Sequence, residues 1–496
     1  MNLQLVSLEI AVVLIGLLVL LVDLWTPREG KRSLGQIAAL GLLLVLAQSI
    51  HFPFVQGVDD GAIPGFALDP LARFFKHIFI AAAIFVLVMA ADFAGRLRTG
   101  VAEFSALVLF ALVGMMFAAS ATTFPMLFVA VELITITFYV LTSFQRHRER
   151  SLEAGIKYLI LGAAASAMMV YGIALIYGVT GSMDFSALAR PAADFEGGQL
   201  QILHLGLLLL LAGLGFKIAA FPFQIWAPDV YEGAPAPVTA FLSIGSKSAG
   251  IVLLLRILHE AGTAHAELLW PLLPWLAAAT IAYGSLCALR QRNLKRLLGY
   301  ASIASAGYLL LGFVALQSGN GNLSTDGYNA ILYYLAGYLF AVIAAFVVIC
   351  QISTEEEGED LSILAGLHRR SPLMAGVLTL SIISLAGIPP LAGFLGKFLL
   401  LKSVIDGAAT GLPYVTLITI AIIGVIVSLY YYFGIIREIY WSTGLRPDDT
   451  PEDKPPFEVP LAIKASLVAC AMALVFIGIY PEPVLALTYE ALEVFR

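Results

Sequence analysis

Charged residues are scarce in this sequence. Asp, Glu, Lys and Arg make up 12% of its 496 residues, about half the share found in an ordinary soluble protein. Apolar residues make up 60%. This composition argues against a soluble globular protein and indicates an integral membrane protein.

The sequence also lacks the motifs of common redox and nucleotide sites. Its three cysteines, Cys287, Cys350 and Cys470, stand alone inside apolar runs, which is typical of small buried hydrophobic residues and not of ligands or disulfides. Iron–sulfur and structural zinc sites are therefore not expected. Neither a GxGxxG turn nor a GxxxxGK[ST] phosphate loop is present, so no known motif for NAD or ATP occurs.

What the sequence does have is a series of long apolar runs, each close to the roughly 20 residues that cross a bilayer. Fourteen such runs cover residues 3–25, 33–52, 70–95, 101–120, 122–145, 152–178, 200–226, 234–258, 268–289, 293–316, 328–351, 372–406, 412–440 and 460–481. The pattern predicts an all-α polytopic membrane protein of about 14 transmembrane helices, with no separate soluble domain. The first run contains Glu9 and lacks a basic start, so we expect a retained span and not a cleaved signal peptide.

Basic residues predict the orientation, because cytoplasmic loops retain Lys and Arg. The odd-numbered connections contain Arg28, Lys31, Arg32, Arg96, Arg98, Arg146, Arg148, Arg150, Arg290, Arg292, Lys295, Arg296, Arg369, Arg370, Arg437, Arg446 and Lys454. The even-numbered connections contain only Arg190. Odd connections are therefore expected in the cytoplasm and both termini on the periplasmic side. The seventh connection is an exception, since it carries Asp229 and Glu232 without a basic residue.

A few charged side chains fall inside the predicted spans. Residues near predicted span ends, where a long side chain can reach the interface, are Arg73, Lys76, Arg256, Lys402 and Lys464. Deeper positions are occupied by Glu132, Lys157, Lys217, Lys247 and Lys397. A charge at mid-membrane costs roughly 2.5–3.5 kcal/mol on insertion scales, so these five residues are expected to have a partner or a function.

Prolines interrupt two of the spans next to a lysine. Lys217 lies five residues before Pro222, and Lys397 follows Pro389 and Pro390. A break in a spanning helix frees backbone carbonyls that lipid cannot satisfy, and transporters build ion sites at such breaks. The breaks fall in the seventh and twelfth spans. Their separation by five predicts that spans 4–8 and 9–13 form two repeats related by inversion.

Proton transfer is the chemistry that these side chains permit. A lysine whose contact with a carboxylate is made and broken can bind and release a proton, so Glu132 and Lys217 are a candidate switch. Hydroxyl groups that could extend a proton wire among the lysines, or only bond to their own helices, belong to Thr239, Ser243, Ser246, Ser248 and Tyr300. Lys157 has Glu153 four residues before it and is equally compatible with an anchor or a relay member.

Three stretches resemble a known family. They are FKIAAFPFQIWAPDVYEGAPAPVTAFL, RQRNLKRLLGYASIASAGYLLLG and SLAGIPPLAGFLGKF, together with Glu132 in its own span. They resemble the proton-pumping antiporter-like subunits of NADH-quinone oxidoreductase, respiratory complex I, most closely the N type. The resemblance covers nearly the whole chain. One departure is Gln224, where many relatives carry histidine.

The resemblance implies a fold of fourteen helices with two inverted five-helix units. The corresponding domains are an N-terminal segment at 1–100, a first repeat at 101–258, a second repeat at 268–440, and a cytoplasmic loop with the C-terminal helix at 441–496. The resemblance also implies roles: Glu132 and Lys217 as the coupled pair, Lys247 as the central carrier, Lys397 toward the exit, and Lys157 and Asp229 in support.

The resemblance further implies that redox chemistry belongs to other subunits, which would carry FMN, iron–sulfur clusters, NADH and quinone, with no cofactor in this chain. Expected partners are the lipid bilayer and other membrane-arm subunits, including sister antiporter-like subunits, in a bacterial inner membrane. No nucleic acid is expected. The acidic stretch 353–362 is expected to be a solvated cytoplasmic loop, and the Pro-rich stretch 448–460 a connector.

Two other functions fit parts of the sequence. One is a subunit of a multi-subunit sodium/proton antiporter, which would need no electron transfer. The other is a membrane scaffold whose buried charges only hold helices together. The scaffold hypothesis requires that each buried cation have a fixed partner.

Overall fold

A computed structural model describes residues 3–27, 30–51, 63–97, 100–315, 325–355, 358–407, 412–442 and 456–495. The α-helices, in chain order from α1 to α19, are Ser7–Asp23, Arg32–His51, Pro70–Phe93, Val101–Ser120, Phe124–Thr142, Glu149–Thr180, Gln199–Ile218, Trp226–Gly233, Ala236–Phe241, Lys247–Ala264, Ala266–Ala288, Leu294–Val314, Asp326–Glu355, Leu367–Arg370, Pro372–Ala386, Ala392–Asp406, Leu412–Trp441, Leu461–Ile479 and Glu482–Ala491. Most of the predicted connector 448–460 lies outside the described residues.

The helices agree with the predicted spans. Within the described residues, twelve helices are long and apolar enough to cross a membrane. The two remaining predicted runs are α1, which has 17 residues, and the run 372–406, which is divided into α15 and α16 of 15 residues each. The all-α polytopic fold is therefore confirmed, with a helix or a helix pair in each of the fourteen predicted runs.

Both predicted helix breaks are present. Helix α7 ends at Ile218, Ala219 adopts a left-handed conformation with φ of 59°, and α8 begins at Trp226. Helix α15 ends at Ala386, Gly387 has φ of 84°, and α16 follows after a short turn. Each break thus begins with a left-handed residue that directs the chain away from the helix axis.

The helices that surround the two breaks form the centre of the molecule. Helices α10 and α12 are buried along their whole hydrophobic length, and α13 along most of it. Helix α12 packs against α8, α11, α13 and α16. By contrast, α6 and α17 expose most of their apolar side chains, as lipid-facing helices do. The buried lysines are carried by or next to the central helices, away from lipid.

Two of the charged residues expected at span ends are instead buried. Lys76 on α3 is fully buried and its Nζ lies 2.7 Å from the carboxylate of Glu9 on α1. The Arg256 side chain is 7% exposed and pairs with Asp69 at 2.8 Å, while also donating to the carbonyl of Ala119. The prediction that these two side chains reach the interface is wrong, because each is buried against a carboxylate, Glu9 on α1 or Asp69 just before α3.

Candidate functional site

Lys217 lies in the last turn of α7 and is 3% exposed. Its ammonium donates to the Thr135 hydroxyl on α5 at 2.8 Å. Its side-chain stem lies against Gly250 on α10, where an added Cβ would come within 3.4 Å of the lysine Cβ and Cγ. Gly250 therefore lets α7 and α10 approach closely, one helical turn from Lys247 on the same helix.

Glu132 lies on α5, three residues before Thr135, and is half-buried. Its carboxylate accepts a short hydrogen bond from Ser166 on α6. It does not form a direct ion pair with Lys217. Lys217 thus reaches α5 one helical turn from Glu132, but the two side chains are bonded to different hydroxyl groups, those of Thr135 and Ser166.

Lys247 begins α10 directly after a π-helical turn, Leu242–Ser246, a local distortion that often marks functional positions. The side chain donates to the carbonyl of Ser302 on α12 at 2.6 Å and to the hydroxyl of the same residue. The Ser302 hydroxyl is also bonded to Tyr231 at 2.8 Å and to Tyr338 at 3.3 Å. Within the described part of the chain, no carboxylate forms an ion pair with the Lys247 ammonium.

Lys397 lies on α16 just after the second break and reaches back across it. Its ammonium donates to the carbonyls of Leu385 at 2.7 Å and Ala386 at 3.2 Å, the last residues of α15. It also lies 5.0 Å from the ring centre of Tyr308. The lysine therefore satisfies carbonyls that the break leaves without helical partners, where the helix dipole favours positive charge.

A small cavity of about 10 Å³ lies between the second and third lysines, enough for about one water molecule. Its wall includes Ser302 and Tyr338, which belong to the Lys247 site, and Leu385, whose carbonyl binds Lys397. Ser305 contributes a further hydroxyl to the wall. Residues that bind Lys247 and Lys397 thus line the same small cavity.

Lys157 and Asp229 meet at the end of the first broken span. The Lys157 ammonium is 2.7 Å from Asp229 and 2.7 Å from Glu153. Arg296 on α12 pairs with Asp229 at 2.6 Å and with Glu232 at 2.9 Å. The acidic seventh connection, the exception to the charge pattern, therefore receives positive partners from Lys157 in the sixth span and Arg296 in the ninth connection.

The predicted hydroxyl wire is only partly supported. Ser243 and Thr239 bond to backbone carbonyls, and Tyr300 lies 5.9 Å from the guanidinium of Arg296, not beside the lysines. The hydroxyls that do bond to the charged side chains belong to Thr135, Ser166 and Ser302, which the sequence analysis missed. Nothing in their local sequence marks them, because their partners are on other helices.

The described residues contain no cluster of three or more His, Cys, Asp or Glu side chains that could hold a metal ion. The polar groups of the site are lysines, hydroxyls and backbone carbonyls. Lysine ammonium groups and hydroxyls can donate, and hydroxyls and neutral amines can also accept. Such groups can carry protons but offer few ligands to a metal.

Two broken helices with buried lysines in a bundle of this topology define an antiporter-like membrane subunit. A family model described as NADH:quinone oxidoreductase/Mrp antiporter, transmembrane, matches residues 121–426. NADH-quinone oxidoreductase subunit N of Desulforamulus reducens is 38% identical over 100% of this chain and 99% of that protein. The chain belongs to the NADH-quinone oxidoreductase subunit N family.

Solved structures agree with this assignment. A chain of respiratory complex I from Thermus thermophilus with bound aureothin is 33% identical, covers 97% of this chain and 98% of its own length, and has a TM-score of 0.77. A chain of the Mrp complex from Dietzia sp. has a TM-score of 0.81 with 99% and 97% coverage, but is 21% identical and shows a shared fold alone.

Proposed function

We propose that this chain is a membrane-arm subunit of a proton-translocating NADH:quinone oxidoreductase in a bacterial inner membrane. Its partners are the other membrane-arm subunits, including sister antiporter-like subunits. NADH and quinone react elsewhere in the assembly, where other subunits hold FMN and iron–sulfur clusters. Both termini face the periplasm, as the distribution of basic residues indicates.

Protons pass through Glu132, Lys217, Lys247 and Lys397, with Lys157 and Asp229 in support. The observation that carries this proposal is that the ammonium groups of Lys217, Lys247 and Lys397 rest on hydroxyl or carbonyl oxygens, and that no carboxylate among the described residues is bonded to any of them. A neutral amine can keep such bonds, since it retains two N–H donors and gains an acceptor. These lysines are therefore free to change charge without stranding a buried anion.

Lys157 contrasts with the other three because two carboxylates bind it and 41% of its side chain is exposed. A lysine that is paired twice remains charged, so it serves to position α8 beside α6. Asp229, which is on α8, also pairs with Arg296 of α12 and so joins α8 to that helix as well. Both are supporting groups and not carriers.

Arginine substitution tests the relay. Arginine keeps the positive charge but cannot deprotonate at accessible pH. We expect Lys217→Arg and Lys247→Arg complexes to assemble yet to lose proton pumping, measured as the proton-to-electron ratio in proteoliposomes. Native ratios in both variants would contradict the relay and support the scaffold hypothesis.

The sodium/proton antiporter alternative is not favoured. The shared fold with the Mrp complex is compatible with both functions, but the full-length similarity at 38% identity is to subunit N of the oxidoreductase. Pumping that needs NADH and quinone and proceeds without sodium would separate the two functions.

A further inference from the structure

A large cavity of about 950 Å³ opens on the side that the basic connections assign to the cytoplasm. Charged or titratable side chains on its walls are Arg96, Glu103, Arg146, His147, Arg148, Lys295 and Glu359. Two of these, Glu359 and Lys295, are nearly buried, with 10% and 6% of their side chains exposed. A nearly buried acid–base pair therefore forms part of the cavity wall. The proposed function uses neither of these two residues.

The protein fixes Glu359 in place through its backbone. The amide of Leu294 donates to the Glu359 carbonyl at 2.8 Å, and the amide of Leu361 donates to the Arg292 carbonyl at 2.8 Å. These bonds join the connection after α13 to the start of α12. The expectation that the acidic stretch is a solvated loop is therefore wrong at Glu359, because the stretch is tied to the ninth connection and its carboxylate points to a buried lysine.

The side-chain contacts are equally specific. Lys295 Nζ lies 3.0 Å from Glu359 Oε1 and donates to the carbonyl of Ala234 at 2.9 Å. The amide of Asn293 donates to Glu359 Oε2 at 3.2 Å. Other charged groups facing the pair are Arg148 at 3.8 Å and Arg150 at 4.0 Å from Glu359, and Glu232, which Arg150 and Arg296 bind.

Lys295 lies on α12, the helix whose Ser302 binds Lys247. Leu298 and Ser302 follow it by three and seven residues on α12, so the three side chains share one helix face. Leu298 and Ser302 line the small cavity beside Lys247. Along this face, the next polar side chain after Lys295 is that of Ser302, roughly 10 Å further along the helix.

We propose that Glu359 and Lys295 form the station that takes up protons from the cytoplasm for Lys247, which rests on the proposed function above. In the resting state Glu359 and Lys295 are an ion pair. When Lys295 releases its proton inward toward Ser302, Glu359 loses its charged partner, takes a proton from cavity water and passes it to the neutral amine. The ion pair is then restored, so charge and protons balance over one cycle.

The test uses the assembled complex in proteoliposomes and a Glu359→Gln variant, which keeps an acceptor for Asn293 but cannot titrate. We expect its proton-pumping rate to fall about tenfold or more. Formate added to the cytoplasmic side should restore part of that rate, because a small weak acid can enter the cavity and deliver protons. Asp360→Asn is the matched control. It neutralises the exposed neighbouring carboxylate and should pump at the native rate without a response to formate.

Glu359→Asp is a second variant that keeps a titratable group if the glutamine variant assembles poorly. It should pump at an intermediate rate. A native rate in Glu359→Gln, or a reduced rate that formate does not raise while assembly is intact, would overturn the uptake station. If Lys217→Arg and Lys247→Arg pump normally, the relay itself fails. If these two lose pumping while Glu359→Gln does not, only the uptake station fails.

Discussion

Two sets of buried cations in the described part of the chain have opposite partners. Lys76 and Arg256 each face a carboxylate from a distant segment, Glu9 on α1 and Asp69 just before α3. The relay lysines bond to hydroxyl and carbonyl oxygens and to no carboxylate among the residues that the structure describes. A carboxylate that keeps its own charge fixes the positive charge of its partner, whereas a neutral oxygen leaves the charge free to change. Glu359, which pairs with Lys295 but lines the cavity and can take up a proton there, is intermediate between these two cases. The difference separates cations that hold helices together from cations suited to carry protons.

The largest effect is expected where a buried pair loses one member. Lys76→Met leaves Glu9 as an uncompensated buried charge, which costs about 3–5 kcal/mol. We expect a strong loss of thermal stability in the assembled complex. The matched control is the double variant Lys76→Met with Glu9→Gln, which removes both charges and should recover most of the stability. Equal instability in both variants would mean that the pair matters through packing and not through charge.

A smaller stability effect is expected at the second break. Lys397→Met leaves the carbonyls of Leu385 and Ala386 without their donor, at a cost of about 1–3 kcal/mol. The thermal unfolding temperature of the complex should fall less than for Lys76→Met, but pumping should be lost. A Lys397→Met complex that pumps normally would remove this lysine from the relay.

Lowering the pH should remove the stability that the ion pair of Glu359 and Lys295 contributes on the cytoplasmic face. Burial raises the pKa of Glu359, but Lys295 and the Asn293 amide lower it more, so its pKa lies below the ordinary value. The resulting stability is fully present above the unfolded pKa of about 4.3. It is lost as the pH falls through the lower folded pKa.

Glu359→Gln removes this contribution, about 1–2 kcal/mol, at neutral pH. Its stability should therefore change less than that of the native complex when the pH is lowered below about 4.3. Thermal unfolding across that pH range measures the difference. A parallel decline of the two proteins would show that Glu359 does not contribute through its charge.

The smallest effect is expected at an exposed pair. Lys402 and Asp406 lie 2.7 Å apart, but both side chains are more than half exposed. Lys402→Ala should leave the thermal unfolding temperature of the complex almost unchanged, because solvent screens an exposed ion pair, and it should leave pumping unchanged. A large effect would indicate that a neighbouring subunit covers this surface.

The fold was largely predictable because its signals are local. Apolar length marks the spans, and Pro222, Pro389 and Pro390 mark the two breaks. The spacing of the acidic and basic residues also gave the pair of Glu153 and Lys157. These features depend on neighbours in the chain and can be read without knowing how distant helices meet.

The partners of the buried charges were not predictable in the same way. The bond of Lys247 to Ser302 and the pairing of Lys76 with Glu9 depend on which faces of distant helices come together. The position of Lys76 along its helix can be read from the sequence, but the direction in which its side chain points cannot. The sequence therefore predicts an interfacial lysine and not one paired with Glu9. Glu359 reads from the sequence as one member of a solvated acidic stretch, because its backbone bonds to the start of α12 join segments that are far apart in the chain.

The charge state of the Lys247 side chain during turnover tests the central claim most directly. Nitrogen NMR of complexes with isotope-labelled lysine, with Lys247→Arg used to assign the signal, reports whether the amine is protonated. The relay predicts an ammonium in one turnover state and a neutral amine in another, while the Lys76 signal stays constant. A Lys247 ammonium that persists in every state would contradict the account.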